Sequence, residues 1–311
     1  MILTVTANAA IDKRYVVERF GTGNVNRVKS CAANAGGKGI NVSRVASLLG
    51  TDITATGFLG GHAGRFISER VEELGVKSDF VWCAGESRTC INIWDEAAKE
   101  QTEFLEPGFA VTEQDCAALL EKFVSLLPEC EVVTISGSTP KGAGSSLYRC
   151  MIRAAREAGK PVLLDTSGTL LEECISEAPS LIKPNIDEIR AITGRSMDTR
   201  ESLIQAAREL HCDGIENVVI SLGGDGSLVI GKEGVFEVKV PRIDAVNTVG
   251  CGDSMIAGFA VGMARGLSLE DTVRLASAVS AANAMRMETG FFVKEDMEAL
   301  LPQIQIKKFQ N

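Results

Sequence analysis

The sequence predicts an α/β fold, with a mainly parallel sheet, helices on both of its faces and a small extra β-layer. Three observations carry this. Strand-like and helix-like segments alternate along most of the 311 residues, as βαβ crossovers require. The helical patterns stop at glycines, which serve as C-terminal caps. Two stretches interrupt the alternation with extended runs and turns but no helix.

The elements follow in order. "ILTVT" (2–6), "ITATGFLG" (53–60), "VVTISG" (132–137), "PVLLDTS" (161–167), "SLIKPN" (180–185) and "NVVISLGG" (217–224) read as strands. "INVSRVASLLG" ends at Gly50, "RFISERVEELG" at Gly75 and "LYRCMIRAAREAG" at Gly159, each as a capped helix. "RYVVERFGTGNVNRVKS" (14–30) and "RTCINIWDEAAKEQTEFLEPG" (88–108) read as antiparallel strands. Joined, these segments (about 13–30 and 86–108) make a β-lid over a sheet-edge cleft. After residue 253 the pattern is mainly helical. No repeat, low-complexity tract or linker divides residues 1–311, so the expectation is a single domain.

Composition narrows the function. The chain is 45% hydrophobic and 23% charged, ordinary for a water-soluble protein with a large core. It has no apolar run of the ~18–20 residues needed to span a bilayer, and "MILTVTANAAID" lacks the basic start of a signal peptide. A cytoplasmic location without a membrane partner is expected. Nine cysteines, an odd number with no C-x-x-C pair, read as free thiols rather than a zinc site or disulfide framework. A net charge of −9 without a basic stretch argues against nucleic acid.

Two glycine motifs carry the chemistry. In "NTVGCGDSMIAGF" (247–259) the glycines bare the backbone where an apolar helix begins. The N–H groups of Gly250, Cys251, Gly252 and Asp253 would form an anion hole at a helix N-terminus. Asp253 could accept a proton there, and its place beside the positive helix end predicts a low pKa. Phosphoryl transfer needs little more than such positioning and charge stabilisation. The plainer alternative, that Asp253 only offsets the helix dipole, leaves the glycines unexplained. "NAGGKGINVSRVASLLG" (34–50) also opens a helix with glycines, and Lys38 and Asn41 could supply directional contacts. It is neither a Walker loop nor a G-x-G-x-x-G fingerprint; alone it is as easily a tight turn with a solvated lysine.

Together "AGGKGINVSR" and "NTVGCGDSMIAGF" resemble the paired signatures of the ribokinase-like sugar kinases, the phosphofructokinase-B family. "TISGSTPKG" (134–142), "LLDTSG" (163–168), "IKPNIDE" (182–188) and "VVISLGGDG" (218–226) extend the resemblance along nearly the whole chain. The start, with "VNRV" and "GESRTCINI", is most similar to the branch of tagatose-6-phosphate kinase and 1-phosphofructokinase.

That resemblance implies a three-layer α/β/α sandwich with a β-lid, ATP with Mg²⁺, and phosphorylation of a sugar hydroxyl. It makes Asp253 the catalytic base, with Gly250, Cys251 and Gly252 in the anion hole. It sets Asp12, Gly37, Lys38, Asn41, Asn92 and Ser136 on the substrate side. Lys183, Ser221, Gly223, Gly226 and Asn283 would line the nucleotide site, while Asn185 and Glu188 would organise the metal, mostly indirectly. Arg27 and Arg88, with Lys38, would read a phosphate already on the substrate, since a guanidinium pairs bidentately with phosphate. The expected substrate is therefore tagatose 6-phosphate or fructose 1-phosphate, nearly evenly weighed. A non-catalytic sugar-phosphate sensor would be expected to lack Asp253. Ala9 stands where this branch usually has proline, which leaves the pose of Asp12 open. His62 and His211 read as non-catalytic and Trp94 as lid packing. A lid with one apolar face would also suit a homodimer.

Overall fold

The structure is a computed structural model that describes residues 1–309. The chain opens with β1 (Ile2–Thr6), β2 (Ala10–Val17), β3 (Val28–Gly36), α1 (Lys38–Leu48), β4 (Ile53–Gly60) and α2 (Gly61–Glu73). There follow β5 (Lys77–Ser78), β6 (Val81–Cys83), β7 (Arg88–Asp95), β8 (Glu100–Leu105), α3 (Glu113–Leu126), β9 (Val132–Ser136), α4 (Ser146–Glu157) and β10 (Val162–Asp165). The second half adds α5 (Gly168–Cys174), β11 (Leu181–Ile182), α6 (Ile186–Thr193), α7 (Arg200–Cys212), β12 (Asn217–Ser221), β13 (Ser227–Gly231) and β14 (Gly234–Lys239). It closes with α8 (Cys251–Ala264), α9 (Leu269–Ala284), α10 (Lys294–Leu300) and β15 (Gln305–Phe309).

Two sheets result. The larger has eleven strands in the order β15-β14-β13-β12-β11-β10-β9-β1-β4-β5, with β6 also on β4. From β12 to β5 its pairs are parallel. β1 and β9 are buried at every position, as strands covered on both faces must be. Alternate residues feed two separate cores: Ile2 and Val132 face one with Ile40, Phe259 and Val279, whereas Leu3 and Val133 face the other with Phe123, Met151 and Leu203. Helices α1, α2 and α8–α10 thus cover one face and α3–α7 the other. This is the expected three-layer arrangement. Helices α8 and α9 pack backbone to backbone, because a Cβ on Gly258 would overlap Ala276.

Five strands lie outside the segments expected to be extended: the short β5 and β6 beside β4, and β13, β14 and β15. β13 and β14 continue the sheet antiparallel beyond β12, and β15 forms its edge in the stretch expected to be mainly helical.

The smaller sheet runs β3-β2-β7-β8. Its strands begin at Ala10 and continue to Gly36, wider than the expected 13–30. Each segment forms an antiparallel pair, but the segments join through parallel β2 and β7. Among the described residues no helix is long and apolar enough to cross a membrane, and all nine cysteines are free.

Candidate active site

A cavity of about 750 Å³ opens between the inner face of the small sheet and the C-terminal ends of β1, β9, β10 and β11. Open α/β sheets place ligands at these strand ends, where the chain turns into helices. α1 and α8 both begin here. Gly37 (φ 100°) precedes α1 and Gly250 (φ 84°) precedes α8. Both need the left-handed freedom of glycine, and a Cβ on Gly250 would sit 2.7 Å from Gly290 N.

At the mouth of α8 the Cys251 N–H bonds Thr248 O at 3.3 Å, which leaves the N–H groups of Gly250, Gly252 and Asp253 for an anion. Ser280 Oγ donates to Cys251 O at 2.9 Å and braces this turn from α9. Asn283 does not reach the cavity. It is fully buried, donates to Val249 O and accepts from Phe291 N, so it supports the loop rather than lining a cleft.

Asp253 is 6% exposed and accepts a 2.8 Å hydrogen bond from Asn41 Nδ2. Burial, then the Asp165 carboxylate, push its pKa up to about 6 against the pull of Lys38, Asn41 and Lys183. The low value expected from the helix dipole is therefore corrected. Desolvation in this dry corner outweighs a partial charge at the helix end.

Asp165, at the end of β10, carries no signal in sequence beyond its place in "LLDTSG". It lies between Lys38 Nζ at 3.4 Å and Lys183 Nζ at 3.6 Å, and is itself buried. Burial alone would raise its pKa, but the two ammonium groups hold it below the ordinary value. For Lys38, burial pulls the pKa down, and Asp165 and Asp253 more than restore it. The pairing mattered more than any local motif could reveal, since Lys38 and Asp165 are 127 residues apart.

The cavity wall on the small sheet carries Asp12, Asn34, Arg88 and Asn92, with Gly37, Lys38, Asn41 and Ser136 opposite. Burial raises the pKa of Asp12, opposed by the Gly37 N–H, Arg44 and Arg88. A Cβ on Gly36 would overlap the Asp12 carboxylate. Arg44, missed in sequence as a helix residue, is buried and donates to Asn41 Oδ1 at 3.2 Å and Thr289 O at 2.8 Å. Ser136 Oγ is buried without a protein partner.

Arg88 donates from Nε to Asn8 O at 3.1 Å and from Nη1 to Glu106 O at 3.0 Å. Asn8 in turn reaches Pro107 O at 3.2 Å and Ser138 Oγ at 3.3 Å. Side-chain bonds thus hold the turn that Ala9 leaves without proline. Arg27 is exposed in the segment before β3, outside the cavity walls. The expected convergence of Arg27 with Arg88 and Lys38 does not occur within this chain.

Of Lys183, Asn185, Ser221, Gly223 and Gly226, expected to line a nucleotide site, only Lys183 reaches the cavity wall. Asn185 and Ser221 form an isolated parallel bridge where β11 and β12 end, and Gly223 and Gly226 shape the turn into β13. Asn185 and Glu188 cap α6 reciprocally, each at 2.9 Å. One carboxylate oxygen of Glu188 is therefore engaged. Among the described residues no cluster of three or more His, Cys, Asp or Glu could hold a metal ion.

The family described as pfkB family carbohydrate kinase matches residues 3–296. The chain belongs to that family. It is thus a carbohydrate kinase, a phosphotransferase with an alcohol group as acceptor. The pfkB chain is 36% identical over 310 residues to tagatose-6-phosphate kinase of Staphylococcus epidermidis, covering 98% of this chain and 99% of that one. It also resembles the crystal structure of phosphofructokinase-2 from Escherichia coli in complex with substrates and products (TM-score 0.89, 28% identity, 97% and 98% covered). Arabidopsis thaliana ribokinase, solved with ribose and ATP, shares the fold (TM-score 0.79, 23% identity, 96% and 98% covered).

Proposed function

We propose that this kinase transfers the terminal phosphoryl group of ATP to the 1-hydroxyl of tagatose 6-phosphate, giving the 1,6-bisphosphate. The observation that carries this is one cavity with the buried Asp253 at the N-terminus of α8 and Arg88 on the facing sheet. In this arrangement the hydroxyl lies against Asp253 and the existing phosphate lies under the small sheet. Similarity to tagatose-6-phosphate kinase supports the choice of sugar.

Asp253 takes the hydroxyl proton as the new O–P bond forms and the bond to ADP breaks. A late proton transfer suits a carboxylate whose pKa lies near 6. The free N–H groups of Gly250, Gly252 and Asp253 hold the charge that develops on the phosphoryl oxygens. Lys38 and Lys183 add positive charge, and Asp165 holds both ammonium groups beside the reacting centre. ATP would extend from Lys183 past Asn185, Ser221, Gly223 and Gly226. Mg²⁺ fits here only as an ion held chiefly by phosphates and water, with one oxygen of Glu188, a set this ion accepts. When bound, it neutralises phosphate charge.

In this proposal the small sheet is the lid of a single domain. Its outer face presents Tyr15, Ile93 and Phe104, and Phe104 is 53% exposed. A second copy of the chain is the proposed cover, so Phe104→Glu should shift a dimer to monomer in sedimentation. The substrate is tested by coupled ADP release over tagatose 6-phosphate, fructose 1-phosphate, fructose 6-phosphate and the free sugars. The highest kcat/KM is expected with tagatose 6-phosphate. A higher value with fructose 1-phosphate would overturn the choice of sugar but keep the chemistry.

A further inference from the structure

Three side-chain amides run in series from the cavity wall to the loop that precedes the anion hole. Asn92 Nδ2 donates to Gln101 Oε1 at 3.3 Å. Gln101 Nε2 donates to Asn247 Oδ1 at 3.3 Å. Asn247 Nδ2 donates to Met287 O at 3.0 Å. Gln101 and Asn247 each accept through the oxygen and donate through the nitrogen, so reversing either would set like groups against each other. Such chains polarise cooperatively.

Both ends are tied to groups already assigned a use. At the wall, Asn92 Nδ2 also bonds Glu103 Oε1 at 3.1 Å, which fixes the amide, and Asn92 Oδ1 is buried without a protein partner. At the other end Asn247, 7% exposed, also accepts the Val249 N–H at 3.0 Å. The next residue is Gly250, where the anion hole begins. Met287 O receives a second bond, from Arg14 Nη1 of β2 at 2.7 Å. Two strands of the small sheet, from segments far apart in sequence, thus converge on the Asn247–Met287 pair. A purely structural role would explain bonds between the small sheet and the loops that hold Asn247 and Met287. It would not require a continuous donor direction that begins at a residue of the cavity wall whose own acceptor has no protein partner.

We infer that Gln101 and Asn247 are positioning residues that align the anion hole when a sugar phosphate seats against Asn92. This rests on the kinase site proposed above. A hydroxyl donating to Asn92 Oδ1 completes the chain and favours the seated small sheet. The seated sheet holds Asn247, and with it the backbone of Val249 and Gly250. Sugar and nucleotide affinities are then linked, and linkage is reciprocal.

The test uses Gln101→Met and Gln101→Glu, both at an exposed position where folding is not at stake. Methionine removes both links, whereas glutamate keeps the acceptor for Asn92 and sets a carboxylate oxygen against Asn247 Oδ1. Calorimetry with a non-hydrolysable ATP analogue, with and without tagatose 6-phosphate, reads the coupling. In the wild-type protein the sugar phosphate should tighten analogue binding by about fivefold or more, within the usual range of coupling. In both variants the ratio should fall towards one, and kcat should drop by about five- to tenfold, one hydrogen bond's worth, with KM for the sugar changed less than kcat. No coupling in wild type, or full coupling and kcat in Gln101→Met, would overturn the inference. Asp253→Asn run in parallel separates the two failures. If that variant kept its rate, the catalytic assignment would fall; if it is inactive while Gln101→Met behaves as wild type, only the amide chain falls.

Discussion

Asn41 and Asp253 meet on the cavity floor, with Asn41 Nδ2 donating to Asp253 Oδ2 at 2.8 Å. They come from the first turns of α1 and α8, the helices opened by the two glycine motifs. Arg44 Nη1 fixes the Asn41 amide by donating to its oxygen at 3.2 Å. The nitrogen must therefore face the carboxylate, and one Asp253 oxygen is committed while the other remains to take a proton. Two motifs separated by most of the chain become one device through this contact.

Its pH dependence follows. The base works ionised, and burial together with Asp165 raises the Asp253 pKa to about 6. kcat should accordingly fall as pH drops through about 6. Asp253→Asn should lower kcat by roughly 10²–10⁴-fold and abolish that limb, with the ATP analogue still bound in calorimetry. The sign for stability is opposite. An acid whose pKa is higher in the folded state than in the unfolded chain loses stability as pH rises between the two values, and the loss is complete above the folded pKa. Removing the charge should raise Tm at pH 7.5 by a few degrees. A lower Tm would contradict the buried-charge account.

Two glycines of α8 should separate rate from stability. A Cβ on Gly252 would lie 3.1 Å from Lys183 Nζ, at the mouth of the anion hole. Gly252→Val should leave the melting curve nearly intact but reduce kcat by about 100-fold, as much as losing one donor, because the branched side chain blocks access to the N–H groups. Gly258→Ala meets the Ala276 backbone instead. It should cost about 1–3 kcal/mol of stability by overpacking, with kcat per folded molecule preserved. Exchanged phenotypes would mean that the hole lies elsewhere.

The parallel core was legible because strands such as Ile2–Thr6, buried at every position, read as short apolar and β-branched runs alternating with glycine-capped helices. The hairpin β13–β14 was hidden because the glycine turn at Gly223–Gly226 that leads into it was read only through the nucleotide site the resemblance assigns to it. β15 was hidden because an edge strand, "QIKKF", carries too little apolar pattern. Within the site, glycines and Asp253 stood out in local motifs. Asp165 and Arg44 did not, since their roles depend on partners brought together only by folding. The same limit explains Arg27, whose family resemblance cannot show that it lies outside this chain's cavity.

Asp165 can be tested through a neighbour. Its carboxylate is one cause of the raised Asp253 pKa, second only to burial. Asp165→Asn removes that repulsion and also frees Lys38 and Lys183 to act on Asp253. The acidic limb of kcat should therefore move to lower pH, while maximal kcat falls because the two ammonium groups lose their shared anchor. A limb displaced towards higher pH would refute the electrostatic account, and an unchanged maximum would refute the anchoring.

Arg88 tests which phosphate the small sheet reads. Its Nε and Nη1 are held by Asn8 O and Glu106 O, so the guanidinium is placed on the cavity wall before any substrate arrives. A charge-assisted hydrogen bond is worth ~1.5–3 kcal/mol. Arg88→Ala should lower kcat/KM for tagatose 6-phosphate by about ten- to a hundredfold, with KM for ATP hardly changed. Arg88→Lys should recover only part, because a point charge cannot replace the planar fork. Arg88 also braces the Asn8 turn, so loss of that brace alone would impair every substrate equally. The decisive quantity is the ratio of kcat/KM for tagatose 6-phosphate to that for free tagatose, measured in both proteins. A collapse of this ratio in Arg88→Ala assigns the phosphate to Arg88, whereas an equal fall with both sugars would leave it only as the brace of the Asn8 turn.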